Sequence, residues 1–318
     1  YWVGSSSSGS GVATSAGLCF ASLGSDTGGS IRYPCAACNL TGIKPTWGRV
    51  SRHGVFPLAG TLDHIGPMAR STADCAAILQ VISGWDVHDP TSIDTPVPEY
   101  SAEVGKNICG MRIGIDRFYS FHGTDPQIAT ALEQAISVFE GLGAQLVEVR
   151  MPDYDDLVEA WVTMCAIETA VAHQDTYPAR RDEYGPSLAQ LIDEGHATTG
   201  MEAANGHHLR VLFTSAFTTM FGEVDCMLCP TMPKLTPNLA KMTNYGSDPE
   251  VLHAIMRFTA PFNFSGSPTI TLPNGIDTAG MPHSMQIVGP HLGECAIIRA
   301  AAAYQSVTNW HTRQPNID

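Results

Sequence analysis

Along the middle of the chain, apolar positions fall into a strand, helix, strand rhythm. Met111-Arg112-Ile113-Gly114-Ile115 reads as a strand. Thr124-Asp125-Pro126 then caps a helix whose apolar positions, Ile128, Ala131, Leu132, Ala135, Ile136 and Phe139, recur at helical spacing. Gly141 and Gly143 end that helix, and residues 145–149 form the next strand. This order points to an α/β layer structure. Upstream, Val12 to Leu18 is small and apolar, as in a buried helix, and Leu18 to Leu23 follows as a strand. Ser71-Thr72-Ala73-Asp74 reads as an N-cap for a helix running from Cys75 to Ile82, closed by Gly84. Asp89 to Glu99 is proline-rich and extended.

Downstream, residues 153–193 are mostly helical, with a break at Tyr184-Gly185-Pro186, and 201–221 form another helix. Residues 225–231 look like a buried strand ending at a loop. The polar, turn-rich stretch 233–249 is the sort of surface loop that can cover a site. Strands are expected at 267–272 and 284–288, and a final helix at 294–308. With no repeat and no low-complexity tail, the pattern predicts one domain over 1–318.

Composition narrows the function classes. The 318 residues can bury a large core, and 44% hydrophobic with 15% charged content is ordinary globular composition. No run of eighteen apolar residues and no leader is visible. Seventeen basic residues against 31 acidic ones leave a net charge of −14. That field disfavours nucleic acid and anionic membranes as partners, and a homo-oligomer is compatible with it. Nine cysteines, an odd count without a compact framework, suit a reducing compartment, so a cytoplasmic location is expected.

Cys35-x-x-Cys38 and Cys226-x-x-Cys229 could together supply four zinc ligands, but each pair lies in an apolar segment where cysteine acts as a small hydrophobe. The reading is structural core, with no metal and no organic cofactor. His207 and His208 are neighbours in a helix and face different ways. Asp63-His64 could suggest a general base, yet Leu62 and Ile65-Gly66-Pro67 on either side look structural. Trp161, Phe213, Phe217, Phe221 and Tyr245 could line an acyl or aryl pocket; ordinary core is the preferred reading.

Chemistry concentrates in two clusters of small residues, Gly4-Ser5-Ser6-Ser7-Ser8-Gly9-Ser10-Gly11 and Ser25-Asp26-Thr27-Gly28-Gly29-Ser30-Ile31-Arg32. Glycines let successive amides turn toward one point, and serines supply hydroxyls. Such loops hold anions: a phosphate, or the oxyanion formed on attack at a carbonyl. A flexible linker would not be followed at once by apolar sequence. A phosphate loop would carry Gly-Lys-Ser/Thr or G-x-G-x-x-G, and a Ser-His-Asp hydrolase a G-x-S-x-G elbow; none is present. Acyl transfer by a serine whose base is not histidine remains. Asp26 and Arg32 flank the loop and could brace it as an ion pair.

These clusters resemble the amidase signature family, whose hallmark is a Gly/Ser-rich segment followed by D-x-G-G-S-[IV]-R. Gly42-Ile43-Lys44-Pro45-Thr46, Gly48-Arg49-Val50-Ser51 and residues 62–70 continue the pattern, and the tail from Gln286-Ile287-Val288-Gly289 to Trp310-His311 is also similar. The resemblance implies an α/β/α sandwich with a central mixed sheet, and a region near 151–256 that varies with the substrate pocket. It implies Ser30 as nucleophile and Ser6, 24 residues earlier, as a relay serine after an unusual cis peptide bond, with Ser7 its near competitor. It implies an oxyanion hole from the amides of Thr27, Gly28, Gly29 and Ser30, supported by Asp26 and Arg32.

In that family the base is a lysine many tens of residues before the relay serine, and only Tyr1 to Ser5 precede Ser6 here. Of the four lysines, Lys44, Lys106, Lys234 and Lys241, Lys44 belongs to a structural element of the pattern. The expectation is therefore an N-terminally truncated amidase, without its base, inactive or nearly so alone and with apolar surface exposed. Its substrate would be a small-molecule carboxamide, with esters, anilides and carbamates accessible to the same site. The alternatives are the glutaminase-type subunit of a tRNA-dependent amidotransferase, and a catalytically incomplete homologue that only binds.

Overall fold

The computed structural model describes residues 1–241 and 249–316. The chain begins with helix α1 (Ser8–Ser15), strand β1 (Ala21–Asp26), α2 (Arg32–Ala37), β2 (Thr41–Lys44), β3 (His64–Ala69) and α3 (Thr72–Ile82). It continues through β4 (Arg112–Ile115), α4 (Arg117–Phe121), α5 (Pro126–Gly141) and β5 (Gln145–Glu148). Three helices follow, α6 (Leu157–Ala172), α7 (Pro186–Ala197) and α8 (Gly200–Met220), before β6 (Cys226–Pro230), α9 (Pro249–Met256) and α10 (Ala260–Phe264). The chain closes with β7 (Thr269–Ile276), β8 (Pro282–Val288) and α11 (Glu294–Val307).

The eight strands of the described residues join one sheet in the order β1-β3-β2-β7-β8-β6-β4-β5. The sheet is antiparallel from β1 to β6 and parallel across β6, β4 and β5. Parallel neighbours need a crossover, and α5 supplies it between β4 and β5. That helix forms where its sequence says it should. Asp125 accepts the Gln127 N–H at 2.9 Å, Pro126 opens the first turn, and all six apolar positions predicted to face inward are buried.

β6 shows why the sheet has two covered faces. Cys226 and Leu228 enter the core beneath α3, α5 and α11, while Met227 and Cys229 enter the core beneath α6, α8 and α10. Alternate residues of a strand point to opposite faces, so an apolar run without alternation marks burial on both sides. The architecture is the expected α/β/α sandwich around a mixed sheet. The same alternation separates Cys226 from Cys229, so they form no common ligand pair. Burial pushes the Cys226 thiol up to about 12. Among the described residues, no group of three or more histidine, cysteine, aspartate or glutamate side chains gathers to hold a metal, and no helix is long and apolar enough to cross a membrane.

Two expectations need correction. The segment from Val12 to Leu18 is not a buried helix: α1 starts at Ser8, turns only Gly11 and Thr14 inward, and leaves Val12 and Leu18 exposed. Phe20 is 89% exposed and Leu23 is also open, because β1 is the edge strand and its outer side has no covering layer among the described residues. The strand itself runs from Ala21, three residues later than the apolar run suggested. The span 151–256 also supplies β6 to the interior of the sheet. Within the polar stretch 233–249, residues 242–248, Tyr245 among them, lie outside the described residues.

Candidate active site

The second small-residue cluster follows directly from β1, and its shape is set by one buried ion pair. Arg32 donates from Nε to Asp26 Oδ2 at 3.0 Å and from a terminal nitrogen to Oδ1 at 2.8 Å. Both side chains are fully buried. Burial by itself would push the Asp26 carboxyl up; Arg32, then Lys44 and Asn263, more than offset that and hold it well below the usual carboxylate range. Asp26 Oδ1 accepts the Gly29 N–H at 2.8 Å, and Oδ2 accepts the Ile31 N–H at 3.1 Å. The carboxylate therefore ties together both ends of the loop 27–31. Arg32 is anchored in turn on the Thr259 carbonyl at 3.1 Å and on Asn263 Oδ1, and Asn263 Nδ2 returns to Asp26.

Within this frame the four amides expected in the oxyanion hole divide. Gly29's is engaged by Asp26, which makes Gly29 a brace of the loop. The N–H groups of Thr27, Gly28 and Ser30 have no acceptor among the described residues. Gly29 has φ +133°, and a Cβ there would stand 2.4 Å from the Tyr33 ring, so only glycine fits. A Cβ on Gly28 would stand 2.5 Å from Trp161 Cζ2 and 2.7 Å from Met256 Cε. Ser30 is half-buried at the end of the loop.

The first cluster meets the second through Ser7. Its N–H donates to the Ser30 carbonyl at 3.4 Å. Its hydroxyl donates to the Ser25 carbonyl at 3.1 Å and accepts the Ser25 N–H at 3.2 Å. Ser7 is thereby held by backbone on the strand leading to the loop, while the Ser6 hydroxyl is exposed and makes no hydrogen bond among the described residues. The peptide bond between Ser5 and Ser6 is cis.

The remaining candidates serve the frame. Lys44 is buried, and its Nζ donates to the carbonyls of Ser267 at 2.6 Å and Pro45 at 3.3 Å; burial, then the neighbouring Arg32, lowers its pKa well below the ordinary value. Lys106 pairs with Glu103, and Lys234 donates to the Gly123 carbonyl. Asp63 is a support and not a free base. Its Oδ1 accepts the Thr27 hydroxyl at 2.5 Å, and its Oδ2 accepts the N–H groups of Leu58 and Ala59 at 3.0 and 3.1 Å. His64 is buried with Nδ1 at the Leu62 carbonyl, 2.7 Å away, and burial lowers its pKa well below the ordinary value. His207 and His208 are exposed on α8. Phe213 and Phe217 are core, with Phe221 packed against them. Trp161 departs from that reading: it is half-buried, and its indole N–H donates to the Thr27 carbonyl at 2.8 Å. No periodicity in α6 announces this contact, because the partner is 134 residues away.

Comparison with known proteins places the chain in a family. The model of the Amidase family matches residues 1–298. A candidate amidase of Mycobacterium tuberculosis, AmiD, is 44% identical over 316 residues, 99% of this chain and 66% of that protein. One component of the glutamyl-tRNA(Gln) amidotransferase of Chromohalobacter salexigens is 36% identical over 336 residues, covering 98% of this chain and 68% of that one. The structure of a 6-aminohexanoate cyclic dimer hydrolase in complex with its substrate superposes with a TM-score of 0.89 at 26% identity, over 99% of this chain and 70% of the other. The chain thus spans just under two thirds of the length of its mycobacterial relative, and it belongs to the amidase family.

Proposed function

We propose that the protein carrying this chain hydrolyses a small-molecule carboxamide through an acyl-enzyme on Ser30, with no metal or organic cofactor. The observation that carries the reading is the loop 27–30 held by the buried Asp26–Arg32 pair, with a half-buried serine and three amides that have no acceptor among the described residues. Ser30 Oγ attacks the amide carbon while its proton passes to the Ser6 hydroxyl, which gives up its own proton to a lysine base. A serine hydroxyl is a weak nucleophile without such a base in reach. Thr27, Gly28 and Ser30 donate to the oxyanion, where losing one donor typically costs about 10²–10³ in rate. The tetrahedral intermediate collapses, the amine leaves with a proton, and water then releases the acid from Ser30.

The base in this reading is a lysine outside the 318 residues. Lys44, Lys106 and Lys234 are each bonded elsewhere, and a lysine serves as base when burial lowers its pKa. Esters, anilides and carbamates present the same carbonyl to the site.

Intact-mass spectrometry after treatment with phenylmethanesulfonyl fluoride tests this, on the full-length protein and on the 318-residue chain. A single adduct on the full-length protein, abolished by Ser30→Ala and absent from the short chain, is the expected result. Labelling that persists in Ser30→Ala, or never occurs, overturns the hydrolase reading in favour of a binding protein. The 36% identity to an amidotransferase component supports a second reading, a glutaminase dependent on partner subunits. Turnover of simple amides by the isolated protein decides against it.

A further inference from the structure

We infer that Trp161 is a positioning residue for the oxyanion loop: its indole N–H fixes the Thr27–Gly28 peptide so that the Gly28 N–H faces the reacting carbonyl. The inference rests on the hydrolase reading above and concerns how its loop is kept in the productive orientation. A peptide group is planar, and in a trans bond its C=O and N–H point in opposite directions. The cis bonds of the described chain are at Ser5–Ser6 and Tyr177–Pro178, so the Thr27–Gly28 bond is trans. The Thr27 carbonyl accepts the indole N–H at 2.8 Å. The Gly28 N–H therefore points away from Trp161, and it has no acceptor among the described residues.

Three contacts hold successive parts of this loop, and they come from different elements. The Thr27 hydroxyl is held by Asp63 Oδ1, just before β3. The Gly29 N–H is held by Asp26 Oδ1, at the end of β1. Between them, the Thr27 carbonyl accepts nothing from the loop's own residues, and among the described residues only α6 reaches it.

Gly28 and Gly29 impose little steric resistance to rotation of a peptide plane. A flipped Thr27–Gly28 peptide would aim a carbonyl oxygen at the developing oxyanion, turning a donor into a repulsive dipole. The indole N–H favours the unflipped form, and the ring covers Gly28 closely enough that a Cβ would overlap it. Trp161 is itself seated against the buried cluster of Val158, Met256 and Ala260.

The test measures the rate at which phenylmethanesulfonyl fluoride modifies Ser30 in the full-length protein, resolved into a limiting rate and a half-saturating concentration. Trp161→Phe keeps an aromatic ring and removes the N–H. Replacement of Trp161 by benzothienylalanine keeps the bicyclic shape and exchanges N–H for sulfur. Both variants are expected to lose about three- to tenfold in limiting rate, the range of one ordinary hydrogen bond, with half-saturation nearly unchanged. A benzothienylalanine protein that reacts at the wild-type rate overturns the inference, whether or not Trp161→Phe is slow, since shape alone would then suffice. A parallel rise in half-saturation with no change in limiting rate also overturns it, by making Trp161 a binding wall. Failure of the hydrolase reading shows separately, as wild-type protein that is not labelled at Ser30.

Discussion

Removing the guanidinium of Arg32 should expose how much the loop depends on it. In Arg32→Met, Asp26 keeps the N–H groups of Gly29 and Ile31 and the Asn263 amide, but loses both charge-assisted bonds and its counter-charge in a fully buried site. Breaking one partner of a buried pair costs about 3–5 kcal/mol, a large share of the roughly 5–15 kcal/mol that holds a domain folded. The pH dependence identifies the cause. In the wild type the Asp26 pKa is depressed below its unfolded value, so its contribution is complete above about pH 4 and is lost only as pH falls through the folded value.

In the variant, burial, the largest influence on Asp26, is no longer opposed by Arg32, and the carboxyl moves up. A raised carboxyl destabilises the fold at neutral pH and recovers stability as pH falls. Urea denaturation of both proteins at pH 7.5 and pH 5 should therefore show a gap of about 3–5 kcal/mol that narrows at the lower pH. A gap below about 1 kcal/mol, or one of equal size at both pH values, would refute the assignment of Asp26–Arg32 as the electrostatic brace.

Other substitutions probe the surrounding supports. Gly28→Ala places a methyl 2.5 Å from Trp161 Cζ2 and 2.7 Å from Met256 Cε, so the ring or the thioether must shift; a changed tryptophan emission together with slower labelling of Ser30 is expected. Asp63→Asn can keep its three contacts, its oxygen taking the Leu58 and Ala59 amides and its nitrogen donating to Thr27. Thermal melting should therefore show little change, whereas Asp63→Leu orphans two amides at about 1–3 kcal/mol each. Ser71→Ala removes the hydroxyl that accepts the Asp74 N–H at the start of α3 and should cost about 1 kcal/mol in urea denaturation, with Ser30 labelling untouched.

Local rules are enough for part of this molecule. Helix α5 announces itself by Asp125, Pro126 and six apolar positions on one face, because capping and amphipathic burial act within a few residues. β6 is legible as a buried strand because its apolar run is continuous, and the Asp26–Arg32 pairing follows from two charges flanking a glycine turn. Strands β2 and β3 carry no such signal. Both are buried along their whole length, yet Thr41, Lys44 and His64 interrupt any apolar run, and β3 includes Gly66 and Pro67, which local propensity reads as a turn. α1 misleads for the opposite reason, since its small residues face inward and its larger Val12 faces out.

By itself, the order of residues determined the loop: which glycines turn it, which serines line it, and which charges close it. Only the tertiary structure decided which groups around that loop stay free. It engaged the Gly29 amide with Asp26, tied the Ser7 hydroxyl to the Ser25 backbone, left the Ser6 hydroxyl without a partner among the described residues, and brought the Trp161 indole from α6 onto the Thr27 carbonyl. The reason is reach. A turn or a cap is settled by neighbours in the chain, whereas a hydrogen bond across 134 residues exists only once the sheet has placed two distant elements face to face.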